Sequence, residues 1–511
     1  MEVVLDDTTT AQPETVLAIP NVSRLAACLF VVLVFYGGLH TVVFTGQMPL
    51  VWPVVAALLS VLCLLTVNRV ADPVVGLTRL GFHAGLFTYF LSLPVLFPET
   101  IEPGLPDGVH QTIGWMLILT IAGFEVGYRV KTVLLRERPH TTVAATLDYK
   151  QRRLIGILLC AGLFIWFLTT IDYSIAADVS VWDILFSMRG RIEGAVDNPA
   201  TQLGSWSYLL TGGLYLATAA AFLLLNDKIV NTRTVMLPAS AIVCWAVMLL
   251  CSVLGFLSGS RALFLYSFAP LALAAWVRLS AARLRKPLRL FTIFMIGAIV
   301  ACVWLAMTSM RGQDVRTYEG SLEEIKPFES VRGAFDVYSS SALIIESFPD
   351  QIDYEYGRSL VPLVLGWLPR SLWPNKPYPF SIYANKIRGE TLEDRSASIA
   401  VGLPGEGYGN FGLPGVLLWG MLMGWGCRVA DDYLKRFHPS DPLRLFLGAS
   451  MCIWAAMIVR GGVPEMFYMG LQVTIFPIGL SILLKTIARQ PYLRQKFLQS
   501  RELVMQKFAS F

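Results

Sequence analysis

Residues 402–432 read GLPGEGYGNFGLPGVLLWGMLMGWGCRVADD. Two folds compete for this stretch. Gly407, Gly409 and Gly412 form a literal GxGxxG, and Asp431 and Asp432 follow at about the spacing of a ribose-binding acid. A dinucleotide fingerprint needs a strand before the glycines and a βαβ unit around them. Here a polar loop precedes them and a long apolar run follows. As one helix, residues 412–432 extend about 30 Å at 1.5 Å per residue, the thickness of a bilayer's hydrocarbon core. The acidic pair then lies across the membrane from the glycines, as an ordinary cytoplasmic helix end. The stretch therefore reads as a membrane helix with a glycine-rich loop feeding it.

The rest of the chain agrees. Its 511 residues are 55% hydrophobic and 15% charged, with mean hydropathy +0.58. Soluble domains carry about a quarter charged residues. The apolar residues come in blocks near the ~20 needed to cross a bilayer. An all-α polytopic membrane protein with about twelve transmembrane helices is expected, over 25–45, 49–67, 77–97, 111–128, 154–172, 204–225, 234–257, 262–279, 289–309, 411–430, 443–460 and 465–485. The first 23 residues are polar and acidic, so no cleavable signal peptide is expected. All eight cysteines fall in apolar blocks without a CxxC, which marks them as packing residues.

Lysine and arginine in short loops set the orientation. Segments 129–153, 278–289 and 428–444 are rich in them and share one side if the span count holds, while 98–112 has none. Both termini are then cytoplasmic. The expected organisation is a cytoplasmic tail over 1–24, nine spans within 25–309, a large extracytoplasmic loop over 310–410, three spans within 411–485 and a basic amphipathic tail over 486–511. The large loop holds ten Lys/Arg and fourteen Asp/Glu between Arg311 and Asn410. Its segment LVPLVLGWLPRSLWP (360–374) is apolar but too short to span, which suits a re-entrant or interfacial hairpin among short helices.

Candidate site residues follow from this topology. Glycines let backbone N–H groups approach a ligand, and a helix N-terminus favours an anion. Glu406, Tyr408 and Asn410 add a carboxylate and two neutral hydrogen-bonding groups in five residues. The plain alternative is a tight loop with Glu406 as a capping carboxylate. Arginines on the outer side run against the positive-inside rule. They are Arg189 and Arg191 in FSMRGRIEG, Arg261 in LSGSRALF, Arg311 in TSMRGQ and Arg460 in IVRGGVPE. Gathered around a cavity they make a phosphate basin; taken singly, each also serves as a snorkelling anchor. Glu465 is a candidate for arginine pairing or proton transfer. Glu125 falls near a cytoplasmic helix end, where it reaches water. The five histidines lack ligand spacing, so no metal or other cofactor is expected.

The motifs LSGSRA (257–262), YEYGRSLVPLVLGWLPRSLWPNKP (354–377), GEGYGNFGLPG (405–415) and VRGG (459–462), with the Arg311 span end, resemble the O-antigen polymerase (Wzy) family of oligosaccharide repeat unit polymerases, within the GT-C-like membrane glycosyltransferases. The resemblance runs over most of the chain. It implies a metal-independent enzyme at the outer face of the bacterial cytoplasmic membrane, with undecaprenyl-pyrophosphate-linked oligosaccharide as donor and acceptor. In that scheme Arg261, Arg311 and Arg460 stabilise the leaving pyrophosphate, Glu406 is the base, and Arg370 and Lys376 line the outer-loop groove. The partners implied are membrane lipid, a chain-length regulator and a flippase, with no nucleic acid. A polysaccharide ligase, a transporter or flippase of lipid-linked sugars, and a scaffold subunit are the competing readings.

Overall fold

The computed structural model describes residues 76–91, 106–130, 149–177, 213–225, 239–257, 264–266, 268–270, 337–365, 372–384, 400–437, 441–464, 467–471 and 473–480, with a few isolated positions. Among the described residues every regular element is helical. In chain order they are α1 (Leu77–Leu86, continued by a π-helical turn Phe87–Leu91), α2 (Asp107–Arg129), α3 (Tyr149–Ala177), α4 (Ala239–Leu257), α5 (Tyr338–Ser347), α6 (Val361–Leu365), α7 (Phe380–Tyr383), α8 (Gly402–Leu434) and α9 (Pro442–Arg460).

Four stretches are long and apolar enough to cross a membrane: Gly108–Arg129, Tyr149–Leu168, Gly402–Leu434 and Pro442–Arg460. Gly213–Leu225, Val243–Val253 and Phe467–Leu480 are shorter apolar helices. The four long stretches fall on expected spans, and the three shorter helices overlap those expected at 204–225, 234–257 and 465–485. The expected spans at 25–45, 49–67 and 289–309 lie outside the described residues, apart from isolated positions. The terminal tails 1–24 and 486–511, and most of the charged loops 129–153 and 278–289, fall there too.

Local sequence sets the helix ends. Asp441 caps α9 by accepting from the Leu443 N–H at 2.9 Å, and Pro442 supplies a preset φ at its first turn. Along α8, Leu418, Leu422 and Trp425 are exposed on one face, while Trp419, Met423 and Cys427 are buried on the other. This is the pattern of a helix between lipid and a protein core.

The core is a cluster of α1, α2, α8 and α9, packed through glycines. A Cβ on Gly420 would stand 2.5 Å from the Thr120 carbonyl oxygen, and one on Gly424 would stand 2.0 Å from that of Phe124. A Cβ on Gly81 would meet the Cys452 carbonyl at 2.0 Å, and one on Gly85 that of Ala456 at 2.5 Å. Small residues at such crossings let backbones approach, which is how membrane helices pack without a hydrophobic drive between them. In both pairs the matched positions rise together, so α2 runs parallel to α8, and α1 to α9. For membrane-crossing helices, parallel α2 and α8 require an odd number of crossings between them. Spans five to nine of the expected twelve satisfy that parity.

Near Arg129 and Leu434, charged groups knit α1, α2 and α8 together. Arg79 grips Glu125 with two parallel bonds, Nε to Oε1 at 2.8 Å and Nη2 to Oε2. The Nε2 of His83 lies 3.1 Å from Glu125 Oε1. Asp431 is fully buried and accepts from the Tyr128 hydroxyl and, at 3.1 Å, from the Gly76 N–H. Arg79 and Arg428 both lie over the Tyr128 ring, at 5.4 and 5.7 Å. Two expectations change here. Glu125 is bound by protein groups. Asp431 is a buried helix-clamping residue, while Asp432 behaves as an ordinary helix end, paired with Arg428 at 2.9 Å and Lys435 at 2.6 Å.

Candidate functional site

The glycine-rich stretch is helical, which corrects its reading as a loop. Residues 402–410 form the first piece of α8, and the helix breaks at Phe411 (φ −145°, ψ 17°) and Gly412 (φ 65°, ψ −154°). Only glycine adopts the Gly412 conformation readily. Pro414 then starts the second piece, where its missing N–H costs nothing. The two pieces fold back on each other. A Cβ on Gly415 would stand 2.2 Å from the Gly407 carbonyl oxygen, although eight residues of straight helix separate their ends by about 12 Å. Gly409 is covered by Phe380, whose Cζ would lie 2.0 Å from an added Cβ. These glycine faces are filled by protein, so the expected use of open N–H groups by an anion does not hold at Gly407 or Gly409.

The break leaves the last carbonyls of the first piece without helical partners. Segment 354–360 supplies them. The Glu355 N–H donates to the Gly409 carbonyl at 3.0 Å, and the Tyr356 N–H to that of Asn410 at 3.1 Å. Asn410 is fully buried and clips the same segment: its Oδ1 accepts from the Gly357 N–H and the Ser359 hydroxyl, both at 3.0 Å. Its Nδ2 donates to the Glu406 carbonyl at 2.8 Å. Tyr408 is half-buried, its ring 6.1 Å from that of Tyr354 and nearly perpendicular to it. Both neutral groups expected to meet a ligand therefore contact segment 354–360, Asn410 by hydrogen bonds and Tyr408 by its ring.

Glu406 is fully buried, and its Oε2 accepts from the Val463 N–H. Val463 follows the Gly461–Gly462 turn that ends α9 at Arg460 and opens the next helical stretch. The carboxylate thus sits at a helix start, where it opposes the positive end of the dipole. The capping alternative holds in changed form, since the N–H belongs to another segment. Gly462 leaves space beside the carboxylate. A Cβ there would lie 3.5 Å from Glu406 Oε2 and 4.0 Å from Ser381 Oγ. Ser381, in α7, is buried and escaped sequence reading, because a lone serine in a polar loop carries no signal.

The surrounding elements are tied to this point. Ser341 Oγ in α5 donates to the Val401 carbonyl at 3.2 Å, fixing the start of α8. His110 Nδ1 in α2 lies 2.8 Å from the Tyr338 hydroxyl, which burial holds in its neutral form. The Tyr468 hydroxyl reaches the Pro362 and Leu363 carbonyls at 3.0 and 3.1 Å, anchoring α6 to the last apolar helix. Lys376 Nζ donates to the Leu368 carbonyl at 3.0 Å, reaching back from just beyond the expected hairpin (360–374).

Of the expected site residues, Glu406, Tyr408, Asn410 and the Arg460 turn come together. Arg189, Arg191, Arg261, Arg311, Arg370 and Glu465 lie outside the described residues. Among the described residues no three His, Cys, Asp or Glu side chains are grouped to hold a metal ion. Comparison with protein-family models, with curated proteins and with solved structures finds no match.

Proposed function

We propose that this membrane protein polymerises undecaprenyl-pyrophosphate-linked oligosaccharide repeat units into a surface polysaccharide at the outer face of the cytoplasmic membrane. One observation carries the reading most: the carboxylate of GEGYGNFGLPG and the turn of VRGG, far apart in sequence, meet at the Glu406–Val463 contact. These are two of the motifs that resemble the polymerase family. A buried carboxylate beside an arginine-bearing turn suits transfer from a pyrophosphate donor.

In this reaction an acceptor hydroxyl oxygen attacks the donor's anomeric carbon. The bond from that carbon to the phosphate oxygen breaks, and lipid pyrophosphate departs with the electron pair. Glu406 takes the hydroxyl proton as general base. Arg460, with Arg261 and Arg311, stabilises charge on the leaving pyrophosphate. The Val463 N–H orients the carboxylate, and Asn410 fixes the helix that carries it.

The test is purified protein in detergent with lipid-pyrophosphate-linked repeat units and EDTA. Wild type yields a ladder of longer lipid-linked glycans. Glu406→Gln loses about 10²- to 10⁴-fold in rate, the usual contribution of a general base. A ladder from both moves the base elsewhere. No ladder from either, with the correct repeat units, rejects the polymerase and favours a ligase or a transporter.

A further inference from the structure

Tyr356 combines two features that rarely coincide. It is a non-glycine residue with φ of 46°, and it is 72% exposed. A left-handed backbone is unfavourable for a bulky side chain and persists where the surroundings over-determine it. Here its own N–H is held by the Asn410 carbonyl, and the N–H of Gly357, left-handed at φ 82°, by Asn410 Oδ1. One buried asparagine therefore pins two successive left-handed residues. The ring that results points outward, with the edges of Tyr354 at 6.2 Å and Phe411 at 6.5 Å. A ring so exposed adds little to the core, so core packing does not account for its strained backbone.

The ring's neighbours indicate what meets it. Asp353 and Arg358 flank it in sequence and are exposed. Charged side chains so close oppose insertion into hydrocarbon. An exposed aromatic face, with an exposed carboxylate and guanidinium within three residues of it in sequence, suits a sugar ring, whose C–H face stacks on the aromatic while polar groups nearby bond its hydroxyls. We propose that Tyr356 is a stacking platform for a sugar of a glycan, a subsite joined through Asn410 to the helix turn that carries Glu406. This inference rests on the glycosyl-transfer reading of that site.

The test uses full-length protein in nanodiscs. The probe is the lipid-free oligosaccharide released by mild acid from the surface polysaccharide of the cells that carry this gene, with Kd read by calorimetry. Tyr356→Asn removes the ring and tolerates left-handed backbone. It is expected to bind about fivefold more weakly or worse, with an unchanged or higher melting temperature. Tyr356→Trp is expected to bind within about twofold of wild type, because it keeps an aromatic face. Equal binding by wild type and Tyr356→Asn overturns the proposal, as does failure of wild type to bind the probe. A lower melting temperature for Tyr356→Asn also overturns it, by making the ring structural. Intact binding with easier extraction from vesicles makes the ring a membrane anchor and overturns it too. Probe binding lost in Tyr356→Asn while wild type makes no glycan ladder rejects the polymerase and keeps the subsite. A wild-type ladder with unchanged binding does the reverse.

Discussion

At one end α8 sets Asp432 between Arg428 and Lys435 and buries Asp431 under Tyr128 and the Gly76 N–H; at the other it closes Glu406 against the Val463 N–H. Both ends bury an acid, but their surroundings differ. The Asp431 end joins to the Arg79–His83–Glu125 cluster, where charged side chains pair with one another. The Glu406 end is held by backbone groups, an asparagine and a folded-back helix. Of the five positive-φ residues described, Tyr356, Gly357, Gly402 and Gly412 lie at the Glu406 end and Gly76 at the other. Such backbone, which the glycines adopt freely and Tyr356 does not, collects where the chain needs a geometry that regular structure does not provide. Under the proposed function, stability belongs to the Asp431 end and chemistry to the Glu406 end.

That division can be broken by substitution. Glu125→Ala leaves the Arg79 guanidinium largely buried without its carboxylate, and is expected to cost about 3–5 kcal/mol of stability. Thermal unfolding in detergent measures this, and activity per folded molecule should be retained. Normal stability with lost turnover would move function to the Asp431 end. Gly412→Ala forces alanine into a glycine-only conformation, with Cβ 3.1 Å from the Tyr354 hydroxyl. A loss of about 1–3 kcal/mol is expected, and here turnover should fall further than the folded fraction does. Proportional losses would reduce the bend to a structural turn. Asp432→Ala removes a partly exposed pair and should change stability by less than about 1 kcal/mol, with turnover unaltered. A larger change would show that Asp432 belongs to the buried cluster.

The membrane class was legible because apolar blocks leave little else for the chain to be. The span expected over 443–460 coincides closely with α9 at Pro442–Arg460. The glycines of 402–415 misled because a glycine states that something comes close without saying what. Phe380 covers Gly409 and the Gly407 backbone covers Gly415, and neither contact leaves a periodicity in sequence. Glu406 and the VRGG turn were each marked by residue type and by resemblance, but their meeting depends on tertiary packing. Ser381, Tyr356 and the Asn410 clip needed the fold. The pairing of Glu125 and the burial of Asp431 were hidden because an acid near a helix end looks the same in sequence whether it faces water or a neighbouring helix.

The parallel glycine contacts bear on how the protein is made. Gly81 and Gly85 find their partners in Cys452 and Ala456, and Thr120 and Phe124 find theirs in Gly420 and Gly424. Helices from the first 130 residues therefore contact surfaces that are synthesised only after residue 416. Until then the glycine faces of α1 and α2 lack the partners they hold in the finished fold. Closure of the core waits on both late helices: a chain stopped before α9 has α8 to pack on α2 but leaves the Gly81 and Gly85 face of α1 without its partner.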